Sequence, residues 1–90
     1  MKETLLSLVK QQVVVDTRSP WVYIGTLAEV RPDCLLLTNV DVHDSGETSI
    51  PKERYVLDST TSGIMANRLS VYVNMEYVVS VSPLADVIKF

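Results

Sequence analysis

The sequence predicts a mainly β fold: a small, strongly bent five-stranded barrel with an N-terminal helix and a helical insertion before the fourth strand. Two observations carry this prediction. Short β-branched stretches recur at close spacing, separated by turn residues, and two further stretches have helical character. Strands this short and bent are typical of a small barrel rather than an open sheet. We expect a single domain over residues 1–90.

The chain begins with a helical pattern over residues 3–11. Leu5, Leu8 and Val9 have the spacing of one helix face. A helix of this length is not stable alone in water, so we expect it to dock on the sheet. The first strand, Val13–Val15, follows it.

A turn over residues 16–20 leads into the second strand, which runs from Trp21 to about Val30. Ile24 and Leu27 fall on opposite faces of this strand. Because Gly25 lies between them, we expect a bulge or a sharp bend there.

The third strand, Cys34–Val42, follows a turn over residues 31–33. It starts apolar on both faces and ends alternating, which predicts a buried start and a half-exposed end. Residues 43–50 are loop-like. Pro51 can open a helix, and the predicted insertion runs from Lys52 to about Ser62.

Gly63 is the expected C-cap of this insertion. The fourth strand is Leu69–Val73, which alternates cleanly. A break over residues 74–76 separates it from the fifth strand, Val78–Val81. The tail over residues 84–88 is apolar enough to pack.

The composition offers no covalent cross-link that could stabilise the small core of this chain. Of the 90 residues, 47% are hydrophobic and 21% charged, as in ordinary globular proteins. A chain of this length has room for one hydrophobic core. The single Cys excludes an intrachain disulfide. The fold must therefore be stabilised either by its own hydrophobic core or by association into an oligomer.

The charge and the N-terminus restrict the class of partner and the location. The net charge is −3, and no cluster of Lys or Arg stands out, which disfavours broad binding to duplex nucleic acid. The first ten residues lack the apolar core of a signal peptide. No apolar run approaches the length of a membrane helix. We therefore expect a cytoplasmic protein without a membrane partner.

The order of these elements resembles the Sm and Sm-like family, in which a short helix precedes a strongly bent small barrel. The family's first segment reads as a Val-rich strand, a turn, Gly-x-Leu and a further valine. The corresponding residues are Val13–Val15, the turn at 16–20, Gly25-Thr26-Leu27 and Val30; the next strand matches Leu35-Leu36-Leu37, and the second segment matches Val71–Asn74 and Val78–Val81. The helical stretch before the fourth strand resembles divergent bacterial or phage-type members.

Three polar signatures of the family's RNA pocket do not carry over. Arg31 stands where the family has an Asp, and Leu35 stands where it has an Asn at the start of the next strand. Val73-Asn74 replaces the family's Arg-Gly. Leu35 cannot hydrogen-bond a base edge as an Asn would. The resemblance therefore implies a uridine pocket that is altered or lost.

The resemblance also implies that the chain associates with other copies of itself. In this family the fourth and fifth strands of neighbouring subunits pair edge to edge and close a ring, which leaves no edge exposed. The expected interface residues are Leu69, Val71, Val73, Val79 and Val81. The alternative is that these strands only fill the core of the monomer.

Five residues are candidates for contact with single-stranded RNA: Arg31, Arg68, Asn67, Trp21 and Tyr23. The aromatic pair, preceded by Arg18, could stack bases. Arg68 would lie near one face of a ring. The alternatives are that the aromatic residues cap the barrel or contact another subunit, and that the arginines are ordinary surface charges or ion-paired.

Nothing in the sequence predicts catalysis, a metal site or a cofactor. Read as a calcium loop from Asp41, the chain has Gly46 at the sixth place but Lys52 at the twelfth, where a bidentate Glu is needed. Cys34 and His43 are too few for a zinc site. There is no nucleophile elbow, oriented triad or Gly-rich phosphate loop. We expect a protein that is not an enzyme.

Two functions follow from these observations. The first is a ring-forming Sm-like protein that binds RNA or scaffolds RNA-associated assembly, with an altered or lost uridine pocket. The second is a homo-oligomeric protein-interaction or structural module with no nucleic-acid role.

Overall fold

The computed structural model describes residues 2–88 and contains two helices and five strands in those residues. They are α1 (Lys2–Leu6), β1 (Gln12–Thr17), β2 (Trp21–Val30), β3 (Cys34–Asp44), α2 (Lys52–Ser62), β4 (Arg68–Asn74) and β5 (Val78–Pro83). Single 3₁₀ turns follow β4 at Met75–Tyr77 and β5 at Leu84–Asp86. The predicted mainly β class, with an N-terminal helix and a helical insertion before the fourth strand, is confirmed.

The five strands form one antiparallel sheet in the order β4-β3-β2-β1-β5. The prediction of a barrel is corrected here: within the described residues the sheet is not closed, because no ladder joins β4 to β5. These two strands are its edges. Each edge strand therefore has one row of backbone N–H and C=O groups that the sheet leaves unpaired.

The register of β2 against β3 shifts at Gly25 and again between Leu27 and Glu29. Ile24 pairs with Asp41 and Thr26 pairs with Thr38, so β3 carries an extra residue opposite Gly25. Asn39, in this bulge, adopts the left-handed region at φ 50°. The bulge expected near Gly25 is confirmed, and the extra residue belongs to the partner strand.

Gly25 is required by the closeness of the two strands at this point. A Cβ atom at this position would lie 3.1 Å from the carbonyl oxygen of Thr38 and 3.2 Å from the Cα atom of Val40. Both neighbours are backbone atoms in the sheet, so neither can move aside without disturbing the pairing. Only a residue without a side chain lets β3 approach this closely.

The buried residues form two clusters on opposite faces of the sheet, so the expectation of one core is wrong. The larger cluster contains Leu5, Val13, Val15, Leu27, Leu35, Leu37, Val40 and Val73. The smaller contains Val14, Val22, Ile24 and Leu84. Successive strand residues point to opposite faces, and here both faces are covered. Helix α1 covers the first, and α2 with the C-terminal tail covers the second.

Helix α1 is shorter than the predicted 3–11 because its last turns change type. It ends at Leu6, and the chain continues in three-residue turns such as Leu8 N–H to the Leu5 carbonyl. At Lys10, φ is 76°. The Lys10 N–H donates to the Leu27 carbonyl at 2.7 Å, which draws the chain onto β2 and away from a helical path.

Helix α2 has the predicted bounds. Pro51 is its N-cap, where the missing N–H costs nothing. Gly63 ends it at φ 82° and donates its N–H to the Ser59 carbonyl. Positive φ favours glycine at this position.

We predict that Gly25→Ala destabilises the fold by about 1–3 kcal/mol, the usual range for overpacking a well-packed site. Urea unfolding followed by circular dichroism measures the change. Ser70→Ala, at an exposed position of β4, is the control and should leave the midpoint unchanged. A Gly25→Ala midpoint equal to that of the wild type would contradict the close approach of β3.

Candidate functional site

Trp21 and Tyr23, two of the predicted RNA-binding residues, line a surface cavity of about 400 Å³ that we call the aromatic cleft. Its lining residues are Thr17, Ser19, Trp21, Tyr23, Tyr72, Val73, Asn74 and Tyr77. The rings of Trp21 and Tyr23 are tilted by 33°, with centroids 6.4 Å apart. Burial raises the pKa of Tyr23. The cleft lies where the ends of β1 and β4 meet the start of β2.

The β1–β2 turn holds Trp21 in place through two hydroxyls. The Thr17 hydroxyl donates to the Trp21 carbonyl at 2.7 Å. The Ser19 hydroxyl accepts from the Trp21 N–H at 3.1 Å. Because both backbone groups of Trp21 are bound locally, the start of β2 is fixed before any ligand arrives.

An arginine lies over a tyrosine ring on each side of the aromatic cleft. The Arg18 guanidinium is 5.0 Å from the centroid of Tyr77, and that of Arg31 is 5.4 Å from the centroid of Tyr72. Both distances fall in the range of cation–π attraction. Arg31 also forms an ion pair with Glu29 at 3.1 Å, which raises its pKa. The positive charge of Arg31 is therefore partly compensated.

Arg68 and Asn67 lie on the other side of Trp21, in a second cavity of about 360 Å³. Trp21 borders both cavities. The second cavity also contains the acidic residues Asp44 and Glu47. The structure thus brings Trp21 near Arg68 and Asn67, whereas Arg31 belongs to the far side of the aromatic cleft.

The Asn67 amide is occupied within the fold. Its Oδ1 accepts from the Val42 N–H at 3.0 Å, and its Nδ2 donates to the Val42 carbonyl at 3.1 Å. The Asn67 side chain therefore makes with the Val42 backbone the two hydrogen bonds that a further paired residue of the neighbouring strand would make. This arrangement makes Asn67 a structural residue first, and it leaves Arg68 as the exposed cation of this cavity.

A partly buried polar network along the second cavity joins β3 to α2. The Tyr55 hydroxyl donates to Asp41, and Asn67 Nδ2 lies 3.4 Å from the same carboxylate. The His43 ring stacks on Tyr55 with centroids 3.8 Å apart. Burial and the Asp41 carboxylate together raise the pKa of Tyr55 well above its usual value. Asp41 and His43, which the sequence pattern does not support as metal ligands, thus hold the insertion on the sheet through Tyr55.

Lys52 fastens the start of α2 to the β1–β2 turn. Its ammonium donates to the Asp16 carboxylate at 2.7 Å and to the carbonyls of Thr17 and Ser19 at 2.9 and 2.7 Å. These three acceptors use all three N–H donors of the ammonium. The turn that carries Arg18 is therefore tied to α2.

The predicted interface residues differ in how accessible they are. Leu69 on β4 and Val79 on β5 are 88% and 59% exposed. Val71 and Val81 are half-buried against the larger cluster. Val73 is 3% exposed and belongs to the core of the monomer, so its side chain is not available to another chain.

Neither a metal site nor a reactive thiol emerges from the described part of the chain. Residues 2–88 contain no group of three His, Cys, Asp or Glu side chains placed to hold a metal ion. Cys34 is half-buried, and desolvation raises its pKa, which lowers the thiolate fraction. Within the same residues, no helix has the length and apolarity needed to cross a bilayer.

Sequence reasoning missed Tyr72 and Tyr77 as lining residues of the aromatic cleft. The two rings are 60% and 49% exposed. The available signal was position: Tyr72 comes just before the break after the fourth strand, and Tyr77 just after it. The position of Tyr77 near Trp21 depends on the pairing of β5 with β1, and that of Tyr72 on the pairing of β4 with β3, which the sequence does not state.

The Sm protein of Pyrococcus abyssii, solved in complex with a uridine heptamer, has a similar structure. The alignment has a TM-score of 0.63 and 12% sequence identity, and it covers 90% of this chain and 93% of that chain. This similarity shows that the chain has an Sm-like fold. No protein-family model matches the sequence, and a comparison with curated proteins finds no significant match.

We predict that Tyr55→Phe lowers the free energy of unfolding at neutral pH by about 1.5 kcal/mol, the low end for a hydrogen bond to a charged group, because Tyr55 is half-exposed. The difference from the wild type should shrink above about pH 10. There the unfolded phenol loses its proton while the folded one, with its raised pKa, keeps it, so the wild type alone loses this stabilisation as pH rises.

Urea unfolding between pH 7 and 11 measures this effect. Tyr72→Phe removes a hydroxyl from an exposed ring and is the control. A constant difference between Tyr55→Phe and the wild type across this range would contradict the role of the network.

Proposed function

We propose that the chain is an Sm-like domain, over residues 1–90, that assembles with copies of itself into a ring and associates with RNA without catalysing a reaction. One observation supports this proposal above the others. The Sm-like fold leaves β4 and β5 as unpaired edges, and both edges expose apolar side chains. The α2 insertion supports a place among divergent bacterial or phage-type members, and the free Cys34 thiol supports a reducing, cytoplasmic setting.

The two edges support assembly because they are complementary. Leu69 on β4 and Val79 on β5 are among the most exposed apolar side chains of the described residues. An unpaired edge with apolar side chains is a template for pairing with another chain. Pairing β4 of one copy with β5 of the next would satisfy both rows of backbone groups and cover both side chains.

The positions that correspond to the family's polar pocket support an altered uridine site. Leu35 and Val73 are buried in the larger cluster, so neither can present a polar group to a base. The side-chain oxygen of Asn74 accepts from the Glu76 N–H at 3.0 Å. Arg31 is paired with Glu29. None of these groups reproduces the pattern that selects uridine in the family.

The net charge of −3 places a condition on RNA binding. Affinity for RNA depends largely on neutralising phosphates, and a single copy offers few free cations for this. In a ring, each such cation recurs once per subunit. Binding would then come from a small set of residues repeated around the assembly.

We predict that the wild type sediments at micromolar concentration as a species several times the 10.0 kDa of one chain. Val79→Lys should shift it to the monomer, because a charged edge resists pairing. Met65→Lys adds the same charge at a residue that is 73% exposed and outside the strands, and it should leave the assembly intact. A wild-type monomer in analytical ultracentrifugation would overturn the ring.

We predict that the wild type binds fluorescently labelled single-stranded RNA at low salt, with similar affinities for oligouridine and oligoadenine. Fluorescence polarisation over a series of salt concentrations measures both the affinity and its salt dependence. A strong preference for oligouridine would contradict the altered pocket. The absence of binding to every oligomer would favour the alternative, a homo-oligomeric protein-interaction module with no nucleic-acid role.

A further inference from the structure

We propose that the aromatic cleft binds unpaired nucleobases of single-stranded RNA, with Trp21 and Tyr77 as stacking platforms and Arg18 as the contact to phosphate. This inference rests on the RNA association proposed above, and it assigns that association mainly to aromatic rings outside the family's polar pocket, in a cleft that also includes the pocket positions Val73 and Asn74. Three properties of the cleft support this assignment: its exposed rings, its flanking arginines and its fixed backbone.

The rings of the cleft offer faces that a base can reach. Trp21 is 38% exposed, Tyr77 49% and Tyr72 60%. In a fold this small, most aromatic rings would be expected to serve the core. Here three of them surround one cavity of about 400 Å³. Stacking on such rings tolerates any base, because every base has a π face.

The cleft is lined by uncharged residues and flanked by two arginines, of which Arg31 is paired with Glu29. None of its eight lining residues is acidic, although the chain carries 11 Asp and Glu residues. Arg18 and Arg31 stand beside it over Tyr77 and Tyr72. This local balance suits a ligand that combines aromatic rings with negative charge, as a nucleotide does.

Arg18 is the better phosphate contact of the two arginines. Its side chain is exposed and makes no hydrogen bond to any other described residue, so its guanidinium donors remain available. In Arg31, by contrast, Nε and Nη2 of the guanidinium already donate to the Glu29 carboxylate. We therefore assign the phosphate to Arg18 and a weaker electrostatic role to Arg31.

The backbone of the cleft is fixed, which lowers the entropic cost of binding. Thr17 and Ser19 hold Trp21, as described above. The Arg18 N–H donates to the Tyr77 carbonyl at 3.0 Å, so the ring and the cation that covers it are joined through the main chain. The stacking platform is therefore in place without a ligand.

Asn74 is the polar side chain of the cleft best placed to contact a base edge. Its oxygen is used by the Glu76 N–H, and its exposed amide nitrogen remains a donor. The Thr17 and Ser19 hydroxyls are bonded to each other at 2.7 Å. One free donor gives little discrimination between bases, so we expect binding with weak sequence preference.

The single tryptophan of the chain gives a direct measurement. We expect short oligouridine and oligoadenine to quench the fluorescence of Trp21 at low salt, with the affinity that polarisation of labelled RNA reports. Tyr77→Leu should weaken binding by about tenfold or more, as expected for losing one stacked base. Tyr77→Phe keeps the ring and should bind as the wild type does.

Arg18→Gln should weaken binding and reduce the slope of log affinity against log salt by about 0.7, the value for one phosphate of a single strand. Arg54→Gln is the matched control, because Arg54 is an exposed arginine on α2 paired with Asp58. It should change neither the affinity nor the slope. Thermal unfolding of each variant checks that the fold is retained.

The outcomes separate this inference from the proposed function. If RNA binds without quenching Trp21, and Tyr77→Leu and Arg18→Gln bind as the wild type does, the cleft is the wrong site while the RNA association stands. If no RNA binds, both the proposed RNA association and the assignment of the cleft as its site are wrong. If a proline-rich peptide quenches Trp21 and RNA does not, the cleft is a peptide site, since aromatic grooves also bind such segments, and the inference is overturned.

Discussion

The close approach of β3 to Gly25 is the constraint on which the rest of the structure depends. The extra residue at Asn39 reverses the faces of β3 from that point onward. Before the bulge, Leu35 and Leu37 point into the larger cluster, and after it Val40 takes over that role. Asp41 is thereby turned toward α2. The bulge opposite Gly25 thus decides which residues of β3 meet the insertion.

The insertion is held by polar contacts at the places where it meets the sheet, while apolar packing fills the space between them. Lys52 binds the β1–β2 turn, and Tyr55 binds Asp41. Between these anchors, Val56 packs on the smaller cluster. A chain of this size supports a second buried layer because the two clusters share a single sheet. The same Lys52 contacts stabilise the turn that carries Arg18 and leads into Trp21. The insertion is therefore bonded directly to residues that line the aromatic cleft.

Local sequence patterns predicted the helices and strands well. They could not predict the contacts between residues far apart in the sequence, which depend on how the strands pair. The bounds of β2 and α2, the C-cap at Gly63 and the bulge near Gly25 follow from propensity and turn chemistry within a few residues. The role of Asn67 does not, because its partner Val42 lies 25 positions away in the sequence. The cleft likewise needs β5 beside β1 to bring Tyr77 to Trp21. Val73 shows the opposite error: its alternation indicated an edge, and the bent sheet buries it.

The two edges of the sheet are different surfaces, and this has a geometric consequence. A contact that joins β4 of one copy to β5 of the next is heterologous, so each added copy leaves the same pair of edges free. Such a series ends only when the rotation per copy divides a full turn; otherwise it grows as a helical filament. β4 pairs with β3 mostly ahead of the bulge, whereas β5 lies on β1 beyond it. The two register shifts between β2 and β3 lie between the edges, so they contribute to the angle that separates a closed assembly of fixed number from an open polymer.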